Sequence, residues 1–397
     1  MKRLYISVLL GALLVIAASI GINRIVNADK KDLVKVGIIF VGDVGTAYTA
    51  NFVQGMNAIE HTYGDKVEII PKYNVPEGSE RVVFEELVEA ECDIIFSTSY
   101  GYGEIAKQIA VSNPDIEICQ MTCSNANEEP VLPNYHNAMG EIYEGRYVTG
   151  VVAGMKLKKL IDSGKISVSQ AKIGYVAAFP YAEVISGYTS FFLGVRSVVP
   201  EATMIVDYTN TWSNFTLEKA SAEKLIEQGC VIISQHSDTT GVAVACENTD
   251  KSVEVYSVSY NRSMADVAPT TYLTGCRIDW EPYMVSAVGA VIDGKKIESR
   301  VSGNIHGNDA SAGFDKGWVS MLALNERVAA EGTSAKIEEL IEGFKKDEIM
   351  VFKGDYTGVD PFDENDVYDL SQGYKENASA SAPSFHYVLK DVITVIE

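Results

Sequence analysis

Six short segments of this chain set flat aromatic rings beside amides, hydroxyls and acids: Gly42–Phe52, Thr98–Gly103, Phe179–Tyr181, Asn210–Trp212, Gln235–Asp238 and Tyr260–Arg262. Rings of this kind stack on a flat ligand, and neighbouring amides and carboxylates read its polar edge through hydrogen bonds. Asp43, Tyr48, Asn51, Tyr100, Phe179, Trp212, Asp238 and Asn261 are therefore the candidate ligand-binding residues. The competing role for any single ring is packing on a surface of the fold.

Catalytic signatures are missing. The chain has no G-x-S-x-G elbow, no H-E-x-x-H, no G-x-x-x-x-G-K-[ST] and no G-x-G-x-x-G after a strand. Ser221-Ala222-Glu223-Lys224 matches S-x-x-K but falls in mid-helix without its partner motifs. The five histidines are well separated, and only His236 falls on a loop at a strand end, where it reads as a hydrogen bonder rather than half of a catalytic pair. No C-x-x-C occurs among the six cysteines, which read as small buried hydrophobes. The acidic stretch Asp355, Asp360, Asp363, Glu364, Asp366 and Asp369 lacks the spacing and the turn glycine of a calcium loop. No metal site and no cofactor are expected, and the chain is not expected to be an enzyme.

The candidate loops owe their position to an alternation of short β-rich apolar runs and longer stretches of helical period. Strands are expected at Lys35–Val41, Lys66–Ile70, Asp93–Ser97 and Ile116–Cys119, with helices at Ala47–Tyr63, Ser79–Ala90 and Glu104–Val111 between and after them. A long helix rich in small residues, Glu141–Leu160, follows, and the alternation then restarts from Lys172 to Val258. The expected fold is α/β, with two doubly wound lobes joined by a multi-crossover hinge. In open sheets of this kind ligands sit beyond the carboxyl ends of the strands, where the candidate loops lie. Tyr272–Cys276 reads as one more strand and Pro282–Ile292 as one more helix, both returning to the first lobe; Trp318–Ala330 and Ala335–Phe344 read as helices. The lobes are accordingly expected at 33–138 plus about 260–295, and at 139–259 plus about 296–397.

With 54 acidic against 33 basic residues the formal charge is −21, which repels phosphate backbones and argues against nucleic acid as a partner. Lys2 and Arg3 precede the uncharged run Leu4–Ile22, so residues 1–28 are expected to be a signal peptide, cleaved after Val26-Asn27-Ala28, or a membrane anchor. The folded part then lies outside the cytoplasm.

Three runs carry a family resemblance: Glu141–Gly154, Lys172–Pro180 and Phe192–Pro200. In this order they resemble the basic membrane protein (Bmp/Med) family of substrate-binding proteins, over roughly Val34 to Gly307. The resemblance implies a type I periplasmic-binding fold that captures a purine nucleoside or related base for an ABC importer, with the transporter permease as partner. It also brings in Trp280, through Asp279-Trp280-Glu281-Pro282-Tyr283, as a further ligand-binding residue, and supports Trp212 and Asp238. Two positions depart from the pattern: Gly45-Thr46-Ala47-Tyr48 lacks a stacking tryptophan, and Asn261-Arg262-Ser263-Met264 lacks an aspartate that the family uses on a ribose diol. Nucleoside and free base both stay open. The rival readings are a membrane-tethered ligand sensor and a nucleosidase or glycosidase using paired carboxylates.

Overall fold

A computed structural model of the chain describes residues 32–396, so the signal or anchor expected at residues 1–28 lies outside the described residues. Among the described residues, no helix is long and apolar enough to cross a membrane.

The chain begins with β1 (Val34–Ile39), α1 (Ala47–Tyr63), β2 (Val67–Lys72), α2 (Glu80–Glu89), β3 (Ile94–Ser97), α3 (Gly103–Ser112), β4 (Glu117–Met121) and β5 (Tyr135–Gly140). Helix α4 (Tyr143–Asp162) then leads to β6 (Lys172–Ala177), α5 (Ala182–Arg196), β7 (Thr203–Tyr208), α6 (Phe215–Glu227), β8 (Ile232–His236), α7 (Gly241–Asn248), β9 (Tyr256–Tyr260) and β10 (Tyr272–Ile278). The two series make parallel sheets of the same order, β2-β1-β3-β4-β5 and β7-β6-β8-β9-β10. Their central strands β3 and β8 are buried along their whole length, as strands covered on both faces are, each opening on a short apolar run and ending in polar residues. The small residues of α4 have a structural cause. A Cβ on Gly150 would lie 1.9 Å from the Phe191 carbonyl oxygen, and one on Gly194 2.2 Å from that of Tyr147, so α4 and α5 touch backbone to backbone.

After β10 come α8 (Glu281–Ile292), β11 (Asn304–His306), β12 (Asp309–Ala312), β13 (Val319–Met321), α9 (Thr333–Lys345), β14 (Thr357–Val359), β15 (Val367–Asp369), β16 (Val388–Leu389) and β17 (Ile393–Ile396). Here the structure corrects the expected division. Tyr272–Ile278 pairs with β9 and β13 in the second sheet rather than returning to the first, because residues 261–271 make a compact turn, packed by Met264 and Ala268 against Ala243, that needs no crossover helix. Helix α8 does pack on the first lobe, where the Trp280 ring at its start lies against Phe52 of α1. Strands β11 and β12 also join the first sheet through β5, although Asp309-Ala310-Ser311-Ala312 carries no β-rich signal. Trp318–Ala330 is not a helix. Val319–Met321 is an edge strand on β10, and Trp318 is buried beside Tyr283. Finally, β17 adds itself to the second sheet beside β7, while β15-β14-β16 form a separate three-stranded sheet.

Three segments thus pass between the lobes: Gly140 to Tyr143, Ile278 to Glu281, and Ala312 to Val319. They pack on one another. A Cβ on Gly140 would meet Ile278 Cγ2 at 2.8 Å and the Trp318 carbonyl oxygen at 3.1 Å, and the Asp279 amide donates to that same oxygen at 2.8 Å. This is the multi-crossover hinge that the alternation predicts.

Candidate functional site

In both sheets the strand order reverses beside the first strand, between β1 and β3 and between β6 and β8, and loops diverge there to leave a crevice. The two crevices face each other across a cavity of ≈ 70 Å³. The first lobe lines it with Tyr48, Ser99, Tyr100 and Thr122, the second with Glu183, Trp212, His236, Asp238 and Tyr260. The lobes are closed on it: Asn51 Nδ2 on α1 donates to Asn261 Oδ1 after β9 at 2.9 Å, and Arg277 Nη1 donates to Gln54 Oε1 at 2.7 Å.

Of the residues expected from sequence, the structure brings Tyr48, Tyr100, Trp212 and Asp238 to the cavity wall. Asn51 and Asn261 meet as the interlobe bridge just described; Asn261 holds a left-handed backbone (φ 64°), which asparagine tolerates better than most residues. Phe179 stands behind the wall as part of an aromatic cluster. It stacks on Tyr181 at 5.2 Å between ring centres, and Trp212 meets its face edge-on at 5.1 Å. Two residues are placed elsewhere. Asp43 is exposed and accepts the Gly45 amide of its own turn at 2.8 Å. Trp280 is only 2% exposed and stacks on Phe52 at 4.4 Å, because the helix that it starts lies against α1; it is a core residue of the first lobe.

Sequence reasoning passed over Glu183 and Arg146, and of the Tyr260–Arg262 segment it chose Asn261 and not Tyr260, which lines the cavity. Glu183 lies two residues beyond the Phe179–Tyr181 segment, in the first turn of α5. Arg146 is the one arginine in the small-residue helix α4, and that oddity was a readable signal. It is 1% exposed, donates from Nη1 to the Gln235 carbonyl at 2.8 Å and lies 3.8 Å over the Tyr260 ring. Its Nε and Nη2 find no acceptor among the described residues. Burial, with Arg146 beside it, pushes His236 down to about 4, so its ring is neutral; Nε2 is 3.4 Å from Glu183 Oε1 and Nδ1 is unpartnered among the described residues. Burial and then the neighbouring Glu218 carboxylate push Asp238 up to about 8, against the Asn261 amide, which acts the other way. A carboxyl poised there takes either protonation state near neutral pH, offering a donor or an acceptor to a ligand. The Asp238 amide donates to the Trp212 carbonyl at 3.0 Å, tying acid and ring into one unit.

Residues 33–346 match the family model for Bmp, described as ABC transporter substrate-binding protein PnrA-like. The chain belongs to the Bmp family. Its relatives include a purine-binding protein of Brucella abortus (strain 2308), 32% identical over 67% of this chain and 71% of the relative. A putative ABC transporter glucose-binding protein of Haloferax volcanii is 30% identical over 61% of this chain and 56% of that protein. Among solved structures, an ABC transporter solute-binding protein from Aeropyrum pernix K1 superposes with a TM-score of 0.64 at 16% identity, covering 84% of this chain and 95% of that one. One from Conexibacter woesei gives 0.60 at 15% identity, over 80% and 97%. The two-lobed Bmp protein thus has the type I periplasmic-binding fold, and it is a substrate-binding component of an ABC transporter that acts outside the cytoplasm on a small molecule.

Proposed function

We propose that this Bmp protein captures a purine base or nucleoside in the interlobe cleft and presents it, chemically unchanged, to the permease of an ABC importer. The observation that carries the reading is the joined pair Trp212 and Asp238 on one cavity wall, a flat ring beside a carboxyl group, facing the hydroxyl-bearing wall of the other lobe. Trp212 stacks on the base and Asp238 bonds its N–H or hydroxyl groups. Closure about a three-segment hinge holds the ligand in place of covalent chemistry. The purine-binding relative supports this ligand class. The Glu183 carboxylate lining the cleft disfavours phosphorylated ligands.

Calorimetric titration with adenine, guanine, hypoxanthine, their nucleosides and glucose tests the proposal. A purine should bind, and Asp238→Ala should weaken it roughly tenfold, since a buried polar group of the ligand left without its partner costs about 1–3 kcal/mol. Glucose binding alone would overturn the ligand class. Conversion of a nucleoside to base and sugar by the purified protein would overturn the receptor role.

A further inference from the structure

Residues 347–396 lie beyond the segment that matches the Bmp family. They carry β14 to β17 and reach both lobes: the Ser381 amide donates to Asp309 Oδ2 of the first lobe at 2.9 Å, and Ser186 Oγ of the second donates to Glu376 Oε2 at 3.1 Å. Two parts of this segment, around 360–362 and 382–386, wall a chamber of ≈ 380 Å³ that shares Tyr100, Thr122 and Glu183 with the ligand cavity. In that wall the β14–β15 loop meets the segment before β16 through three side chains, and their arrangement has no explanation in the ligand site.

His386 Nε2 lies 3.5 Å from Asp360 Oδ2 and 3.6 Å from Asp366 Oδ2, and the three side chains bring one ligand atom each within 4.8 Å of one another. His386 Nδ1 faces the Ser384 carbonyl oxygen at 2.9 Å, and since a carbonyl can only accept, Nδ1 carries the hydrogen. With that hydrogen on Nδ1, Nε2 is the ring atom that faces the two carboxylate oxygens, and in the neutral tautomer it offers them a lone pair. The separations exceed the roughly 2.7–3.2 Å of an N–H···O bond. They fit the edge of a tetrahedron around a metal whose ligand bonds are about 2.0–2.2 Å, an edge of roughly 3.3–3.6 Å. The remaining oxygen of each carboxylate is already held by a donor outside the triplet: Asp360 Oδ1 by the Phe362 amide at 2.7 Å, Asp366 Oδ1 by the Tyr387 hydroxyl at 3.1 Å. Each ligand is thus oriented by an outer partner, the backbone carbonyl behind histidine included, as the outer shell of a metal site requires. No lysine or arginine makes an ion pair with Asp360 or Asp366 among the described residues. The calcium-loop spacing fails here because the third ligand comes from a distant segment and is a nitrogen.

We propose that Asp360 Oδ2, Asp366 Oδ2 and His386 Nε2 bind one divalent cation of the zinc class, with a fourth position open to water or to a group in the chamber. A mixed nitrogen and carboxylate set selects such a metal over calcium or magnesium, which take oxygen alone. Bound there, the ion fastens the Phe362-bearing loop to the chain before β16, beside the mouth of the ligand cleft.

Tag-free protein, stripped with a chelator and dialysed, is titrated with zinc chloride, with calcium chloride as the contrast, and its melting is followed with and without zinc. One zinc per chain with a raised melting temperature is expected, little response to calcium, and a tetrahedral absorption spectrum with cobalt(II). His386→Ala and Asp360→Asn should each weaken zinc binding at least a hundredfold, whereas His61→Ala, at an exposed helix position, should leave it unchanged. A protein that melts identically with zinc, or whose stoichiometric zinc binding survives His386→Ala, overturns the proposal and makes the triplet an ion pair of a protonated histidine.

Discussion

The two walls of the cleft rise from sheets of the same strand order, yet they offer a ligand different things. On the first lobe the polar groups are engaged at home: Tyr48 donates to the Thr98 carbonyl, Ser99 Oγ to Glu77 Oε1 at 2.6 Å, and Thr122 Oγ1 to the Met121 carbonyl at 2.6 Å. On the second lobe His236 Nδ1 has no partner among the described residues, Arg146 behind it has two nitrogens, Nε and Nη2, without an acceptor there, and Asp238 is poised between protonation states. One topology has therefore yielded a wall that supplies shape and a wall that supplies unspent polar capacity. Buried polar capacity is costly unless something answers it, which is the signature of a recognition surface.

The same asymmetry runs through the helices, and here the largest effect is expected. In the second lobe α4 and α5 touch through Gly150 and Gly194 against backbone, which cannot yield. In the first lobe α1 and α8 meet at Gly55, where an added Cβ would approach Met284 Sδ at 2.6 Å, the end of a flexible side chain. Gly150→Ala should cost about 3 kcal/mol through overpacking, and Gly55→Ala should stay within about 1 kcal/mol, with better helix propensity offsetting a rotamer shift of methionine. Urea unfolding of the two variants decides it; equal losses would erase the contrast between the helix pairs.

Two buried histidines, one from each lobe, sharpen the comparison through pH. His136 of the first lobe lies 2.8 Å from Glu117 Oε2 and 2.5 Å from Glu298 Oε1, and although burial opposes its charge, these two carboxylates raise it to about 9. Its contribution is complete below the unfolded value of about 6.5 and is lost as pH rises through about 9. His236 is depressed to about 4, so its contribution is present above about 6.5 and is lost as pH falls through about 4. Each swing is on the order of 3 kcal/mol. Melting between pH 4 and 10 should show His136→Gln flattening the alkaline limb and His236→Gln the acid limb. Swapped limbs would reverse the assignment of charge to the lobes.

Much of this was readable in the chain. Buried strands such as Asp93–Ser97 and Val231–Ser234 announced themselves because each holds a run of three large apolar side chains, as a strand covered on both faces requires. The cleft loops followed from them, since ligands in such sheets sit at strand ends. Two of the failures share one cause, partners distant in the chain. Asp309–Ala312 becomes a strand only because β5 offers a free edge, and Trp280 becomes core only because Phe52 lies opposite. Local pattern carries neither fact. Arg146 reaches the back of the cleft from a helix that periodicity treats as packing alone.

The smallest expected effects test the walls themselves. Trp212 is half-buried in a loop, held edge-on by Phe179 and beside Tyr181, so its ring has a face for the cavity and little role in the core. A stacking ring contributes on the order of 0.5–1.5 kcal/mol beyond the area that it buries. Trp212→Ala should therefore weaken purine binding by roughly tenfold, about 1.4 kcal/mol, with the unliganded melting temperature nearly unchanged. Tyr48 faces the same cavity from the first lobe, but its hydroxyl is committed to the Thr98 carbonyl. Tyr48→Phe keeps the ring and removes that internal bond together with the long contact to Thr122 Oγ1 at 3.5 Å, so affinity should fall less than about threefold, while stability falls by about 1 kcal/mol. Calorimetry and melting on both variants separate the two roles. If Tyr48→Phe lost the ligand and Trp212→Ala lost only stability, the recognising wall would be that of the first lobe, and the unspent polar groups of the second would need another purpose.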